Sequence, residues 1–219
     1  NSAERAWSLL RKWGITPENA RLERHAVYTF RGAVASTWYD GRIFIAGDAA
    51  HLTPPFAGQG LCAGFRDAAA LAWRIALAAK QPEYLSILKS YESERKQHAR
   101  LWVENAIELG KVICELEPEK ALQRNTMMLE ARKQGLPPPS SGILPSLGHG
   151  LVSPQHRGGM LGPGGFVTGK GHPAPRHFDD VFGCGFHLIT VEDDIFPSID
   201  PQIKSAFLRA GGQMTNLSA

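Results

Sequence analysis

Asp48 follows a short apolar run at residues 43–46 and opens the segment GDAAHLTPPFAGQG. An acidic residue directly after a buried strand stands at the C-terminal edge of a sheet, where α/β folds bind their ligands. Its carboxylate can accept hydrogen bonds from the hydroxyls of a polyol or a ribose. Gly-Asp by itself reads first as a turn or helix-capping pair; the neighbouring residues turn the reading toward a ligand. Ala49, Ala50, Ala57, Gly58 and Gly60 keep side chains out of the way, so backbone can approach a flat molecule. Pro54 and Pro55 stiffen the loop and remove two donors, leaving carbonyls. Gly60, Leu61 and Cys62 open an apolar helix, where N–H groups lack intrahelical partners and the dipole favours an anion.

Several elements must position these groups. Trp7, Leu10 and Trp13 recur at helical spacing over residues 4–13, and Gly14 offers a stop. Residues 25–38 are rich in β-formers, and residues 43–46 read as a strand covered on both faces, as in a parallel sheet. A helix is expected from about Leu61 to Lys80, with Pro82 beyond its end. A second, long helix is expected over residues 84–117, with Leu85, Leu88, Tyr91, Ala99, Trp102, Ala106, Leu109, Ile113 and Leu116 on one face; Arg95 falls in the same stripe. Its Glu92, Glu94, Arg95 and Lys96 read as a solvated face with i,i+4 pairing. Residues 120–134 suggest another short helix, 186–191 a strand and 201–210 a last helix. The Gly- and Pro-rich stretch 135–176 reads as an irregular crossing segment.

Composition bounds the function. The 219 residues carry 43% hydrophobic and 21% charged side chains, ordinary for a soluble globular protein. A formal charge of +3, spread along the chain, does not point to nucleic acid. No apolar run approaches the roughly 18 residues of a membrane span, and no signal peptide is evident. Cys62, Cys114 and Cys184 are odd in number and far apart, which fits a reducing cytoplasm better than a disulfide framework.

The pattern GDAAHLTPPFAGQGLCAGFRDAAALAW, with the lead-ins HAVYTF and GRIFIAGDAAH, resembles the class A flavoprotein aromatic hydroxylases over about residues 15–100. Within them it is most similar to the 3-(3-hydroxyphenyl)propionate hydroxylase type. The resemblance implies FAD as cofactor, NADH or NADPH as co-substrate, O2, and a small phenolic substrate. Asp48 then matches the aspartate on the ribityl chain, and Pro55 the proline whose carbonyl lies near the substrate and the flavin C4a, the nearest thing to a catalytic residue here. Gly60, Leu61 and Cys62 match the backbone that meets the isoalloxazine O2 and N1, with Gly47 and Gly58 in the same set of contacts. Some relatives carry Asn where this chain has Cys62, so only its main-chain role transfers. His51 and Gln59 are given support roles, and Arg66 and Asp67 a helix-to-sheet contact. The implied reaction reduces FAD, forms a C4a-hydroperoxide and hydroxylates the ring.

The expected fold is α/β (α+β). Residues 1–38 are read as the end of a substrate domain, 39–134 as the C-terminal part of a Rossmann-like FAD-binding domain, 135–176 as a linker and 177–219 as an incomplete thioredoxin-like segment. The Phe178-Asp179-Asp180 stretch followed by GCGFHLIT carries that last resemblance. No G-x-G-x-x-G after a strand is present. The G-x-G-x-x-A string at 169–174 is followed by prolines, and the P-loop-like 164–170 has Gly171 where Ser or Thr belongs. His172, His177, Cys184 and His187 match no zinc spacing. The rival readings are a polyketide-type flavin hydroxylase and a non-catalytic remnant, lacking the ADP-binding half, that forms a homodimer through the long helix and the C-terminal segment. On its own, this chain is expected to turn over little or no substrate.

Overall fold

The computed structural model describes residues 2–137, 145–153, 155, 158–162, 164–169, 172–190 and 195–217. Helix α1 (Ala3–Leu10) starts where the Ser2 side chain accepts from the Arg5 N–H, and a 3-10 turn carries it to Gly14. Two long helices dominate the middle of the chain. Helix α2 (Gly60–Lys80) begins within a residue of the expected start, and α3 (Ser90–Ile113) forms the second. The predicted 84–117 helix is shorter at both ends. Residues 82–89 are 3-10, entered at Pro82, and the Ser90 hydroxyl closes that turn by donating to the Ile87 carbonyl. At the other end, Leu116 is 90% exposed and belongs to no helix, because Pro118 starts helix α4 (Pro118–Lys133).

The strands depart further from expectation. Of residues 25–38, only Ala33–Val34 (β1) is a strand, paired antiparallel with His51–Leu52 (β4). The run at 43–46 does not form a strand covered on both faces. Ile43–Phe44 (β3) turns back antiparallel on Tyr39–Asp40 (β2), and Ile43 is 70% exposed. Tyr39-Asp40-Gly41 reads in the sequence as a turn, and Gly41 at φ 58° makes it a tight hairpin.

The core lies between this hairpin and the two helices. Trp38, Ala50, Tyr91 and Ala99 are fully buried, with Phe44, Ile45, Ala70 and Leu71 packed on them. The Tyr91 hydroxyl donates to the Ile45 carbonyl at 3.0 Å, and Glu92 accepts the N–H groups of Trp38 and Tyr39 at 2.9 and 3.2 Å. Burial raises the Tyr91 phenol above its ordinary range, so it stays a neutral donor.

The Gly- and Pro-rich stretch is not wholly irregular. Phe166–Gly169 (β5) and His172–His177 (β6) form a hairpin, with the prolines of β6 tolerated because a two-stranded ribbon is all edge. Lys170 and Gly171, in the nucleotide-loop look-alikes, lie outside the described residues. Helix α5 (Phe178–Phe182) comes directly after β6. Then β7 (His187–Thr190), α6 (Pro201–Arg209) and β8 (Gln213–Asn216) form a unit in which β7 and β8 pair in parallel across the helix. Asp200 caps α6 by accepting from Gln202 and Ile203 N–H groups.

Candidate functional site

The predicted residues lie on two consecutive turns and one helix start. Gly47 and Asp48 occupy a 3-10 turn, Gly47–Ala49, in which Gly47 takes φ 59°, a conformation costly for any residue with a Cβ. Pro54 is buried and Pro55 exposed; Pro55 opens the turn Pro55–Ala57, and its carbonyl accepts the Gly58 N–H at 3.0 Å. One lone pair of that carbonyl is therefore used within the turn. Gly58 reverses the chain at φ 62°, and α2 starts at Gly60.

The two turns meet the helix through glycines. A Cβ added at Gly64 would stand 3.5 Å from the Gly47 Cα, and one at Gly60 would meet nothing nearer than Thr53 at 3.9 Å. Gln59 provides no side-chain cap for α2, so the first N–H groups of the helix have no capping oxygen. Asp48, Leu61 and Cys62 are all exposed, Leu61 at 74%. The seven predicted residues thus line an open surface on which a carboxylate stands near an uncapped helix start. Those groups fit a long ligand with hydroxyls at one point and an electron-rich edge at another.

Beneath this surface lies a buried cluster that the sequence reading underrated. The Asp67 carboxylate, fully buried on α2, accepts the Gly47 N–H at 3.1 Å and His51 Nε2–H at 2.7 Å through Oδ2, and Arg95 Nε–H at 2.9 Å through Oδ1. Burial pushes its pKa up, but the bonds from His51, the Arg95 charge and the Gly47 N–H outweigh that and hold it below the ordinary carboxylate range. An ionised carboxylate only accepts, so the proton between His51 and Asp67 sits on Nε2. The helix-to-sheet contact expected of Asp67 is present, whereas Arg66 turns back to the start of its own helix and donates to Gln59 Oε1 at 2.9 Å.

Glu94 and Arg95 correct the solvated-face reading of α3. They are 4% and 2% exposed. Glu94 accepts Arg74 Nη2–H at 2.5 Å and the Leu151 N–H at 2.6 Å, tying residues 147–151 to the helix. Glu92 and Lys96 do form the expected i,i+4 pair, at 2.8 Å. The signal for Arg95 was its place in the apolar stripe; nothing at the level of residue type marked Glu94. Nearby, burial and then the charges of Arg95 and Arg66 push His98 down to about 4, so it is neutral at pH 7.

A cavity of about 610 Å3 lies between α2, α3 and residues 145–162, lined by Arg66, Trp73, His98, Trp102 and Met160 among others. It includes none of the seven predicted residues. The turn-and-helix surface is the better candidate, since it gathers two glycines at positive φ, an exposed carboxylate and a helix start without a side-chain cap.

The FAD binding domain family matches residues 2–106. The chain is 38% identical over 200 residues to a probable NADH-specific resorcinol 4-hydroxylase of Rhodococcus jostii (strain RHA1), a match covering 91% of this chain and 36% of that protein. It is 31% identical over 189 residues to a 3-(3-hydroxy-phenyl)propionate/3-hydroxycinnamic acid hydroxylase of Mycolicibacterium gilvum (strain PYR-GCK), over 79% of this chain and 32% of that protein. The chain thus spans about a third of the length of the curated relatives it matches. Among solved structures, aklavinone-11 hydroxylase in a ternary complex with FAD and aklavinone superposes with a TM-score of 0.67 at 22% identity, covering 98% of this chain and 41% of that one. The flavin-dependent monooxygenase PieE in complex with FAD and substrate gives 0.56 at 21%, covering 87% and 40%. At such identities the structural likeness is one of fold.

Proposed function

We propose, for a chain whose residues 2–106 match the FAD binding domain family, that the complete protein is an FAD-dependent monooxygenase hydroxylating a small phenol. The observation that carries the reading is the exposed Asp48 on a turn packed, through Gly47 and Gly64, against an uncapped helix start. When bound, FAD accepts a hydride from a nicotinamide and activates O2, so that one oxygen atom enters the ring and the other leaves as water.

The residues of this chain hold and polarise. The Asp48 carboxylate would accept from the ribityl hydroxyls. The N–H groups of Gly60, Leu61 and Cys62 would meet the N1–C2=O edge, where negative charge gathers on reduction, and the dipole of α2 would stabilise it. Gly47 and Gly58 take positive φ and carry no side chain, so backbone there would be free to approach the ring closely. Pro55, in the turn that ends at Gly58, would lie where the substrate meets the flavin. Cys62 takes part through its main chain alone.

The relatives' names suggest a meta-hydroxylated ring, as in resorcinol or 3-hydroxyphenylpropionate, and NADH as reductant. Residues 39–134 are then the C-terminal part of a Rossmann-like FAD domain. The parallel β7–α6–β8 unit supports residues 177–219 as part of a thioredoxin-like domain. Exposed, free Cys62, Cys114 and Cys184 suit the reducing cytoplasm. No helix among the described residues is long and apolar enough to cross a membrane.

The test is NADH oxidation by the complete, FAD-loaded protein with resorcinol, 3-hydroxyphenylpropionate and a polycyclic polyketide as separate substrates. Hydroxylated product from either small phenol supports the reading. Product from the polyketide alone moves it to the larger substrate, and no product with any ring overturns it.

A further inference from the structure

Phe56 sits between Pro55 and Ala57 in the turn that leads to α2. Its ring lies against Gly110, in the last turn of α3. A Cβ built at Gly110 would stand 2.7 Å from both Cδ2 and Cε2 of Phe56, closer than real contacts permit. Gly110 is buried and helical, with its carbonyl accepting the Cys114 N–H at 2.8 Å. Glycine is a poor helix former, so its presence inside a helix calls for a reason, and here it is the ring seated on it. On its other side Phe56 meets Phe30 edge to face, with centroids 6.0 Å apart at 78°. The stretch leading from Phe30 uses the same helix face: a Cβ at Gly32 would stand 2.6 Å from Ile107 Cδ1 and 3.1 Å from Val103 Cγ1. Helix α3 is therefore the common bed of the proline turn and of the segment carrying Phe30.

We infer that Phe56, seated in the notch at Gly110, is a positioning residue that sets where Pro55 and the start of α2 stand relative to the reacting ring. The inference rests on the flavin reading of the site. It assigns α3 a role there although α3 contributes none of the seven predicted contacts. Pro55 and Gly60 flank Phe56 within five residues, and the intervening turn is short and stiff, so a ring pushed off its seat carries both with it. Asp48 belongs to a separate turn, anchored by Asp67, and is not moved. The seat thus governs the accuracy of oxygen transfer more than the retention of FAD.

The experiment is Gly110→Ala in the complete, FAD-loaded enzyme, scored as product formed and hydrogen peroxide released per NADH oxidised, with kcat, KM and FAD content alongside. The expected result is FAD content equal to the parent, kcat lowered by about tenfold to a hundredfold, and a larger share of NADH lost to hydrogen peroxide. A merely structural contact would lower the melting temperature without shifting the coupling ratio. Phe56→Leu in the Gly110→Ala background trims the ring to fit the added methyl and restores coupling. Parental kcat and coupling in Gly110→Ala, or a double variant as uncoupled as the single one, overturns the inference. Should Gly110→Ala not fold, Phe56→Leu alone, loose on its glycine seat, must show the same uncoupling; parental coupling there also overturns it. Loss of FAD or of hydroxylation in the unmutated enzyme would instead sink the flavin reading itself.

Discussion

The backbone N–H of Gly47 donates to Asp67 Oδ2 across 3.1 Å, so the residue before Asp48 is held by a carboxylate on the second turn of α2. The same oxygen takes His51 and the other takes Arg95. One side chain thereby fixes the Asp48 turn, β4 and both long helices in a single arrangement. The exposed part of the candidate site is only as well placed as this buried anchor.

Asp67→Asn keeps the shape and removes the charge. Arg95 is then left buried without its counter-ion, a change that costs about 3 kcal/mol or more. Urea unfolding should report that loss, together with weaker FAD retention as the Gly47 turn loosens. A variant as stable as the parent would show that the cluster is not an anchor.

Stability should fall on acidification in two steps with different owners. His98 has a folded pKa lowered to about 4 from an ordinary 6.5. Its neutral form is favoured in the fold, so the unfolded chain takes up a proton first. Stability is complete above pH 6.5 and declines as pH falls from there toward 4, with a slope of up to about 1 kcal/mol per pH unit. Asp67, also depressed, contributes in full above the unfolded carboxylate value and is lost only as pH drops further, through its folded pKa. Urea midpoints at pH 7, 6 and 5 measure the first step, and His98→Phe should flatten it. A slope unchanged in that variant would assign it to another group.

Two glycines that touch one another should respond in opposite directions. Gly47 at φ 59° cannot take a Cβ without strain, so Gly47→Ala costs about 1–2 kcal/mol and weakens FAD binding. Gly64 is helical, and its added methyl would make an ordinary 3.5 Å contact with the Gly47 Cα. Gly64→Ala therefore keeps FAD and gains up to about 1 kcal/mol from helix propensity. Melting temperatures of the pair decide this.

The α2 surface and its loop were legible because their signals are local: glycines, prolines and an apolar helix start need no partner to be recognised. The helix starts near Gly60 and Pro201 were legible for the same reason, whereas Pro118, which reads as a helix end, in fact opens α4. The short strands were not. Residues 43–46 look like a strand covered on both faces, yet their pairing depends on the Gly41 turn and on which neighbour is present, which no single segment encodes. Glu94 and Arg95 were misread because charge suggests solvent, while their burial is decided by partners 20 and 28 positions away, Arg74 and Asp67. The prolines of β6 hid a hairpin, since breaker residues say nothing of an edge-only ribbon.

Glu94 yields a prediction for the segment it holds. Glu94→Ala frees Arg74 as a buried cation and removes the acceptor of the Leu151 N–H. The expected cost is about 3–5 kcal/mol, with faster hydrogen exchange at Leu151 and easier proteolysis between residues 145 and 153. Unchanged exchange at Leu151 would mean that the segment is held by other contacts.

The dissociation constant of FAD for the complete protein, measured for the parent and for Asp48→Asn, bears most directly on the site. Asp48 is exposed and outside the buried cluster, so the substitution leaves the fold intact. Loss of charge-assisted bonds to the ribityl hydroxyls should weaken FAD by about tenfold to a hundredfold. A dissociation constant equal to the parent's would contradict the assignment of Asp48 to the FAD site.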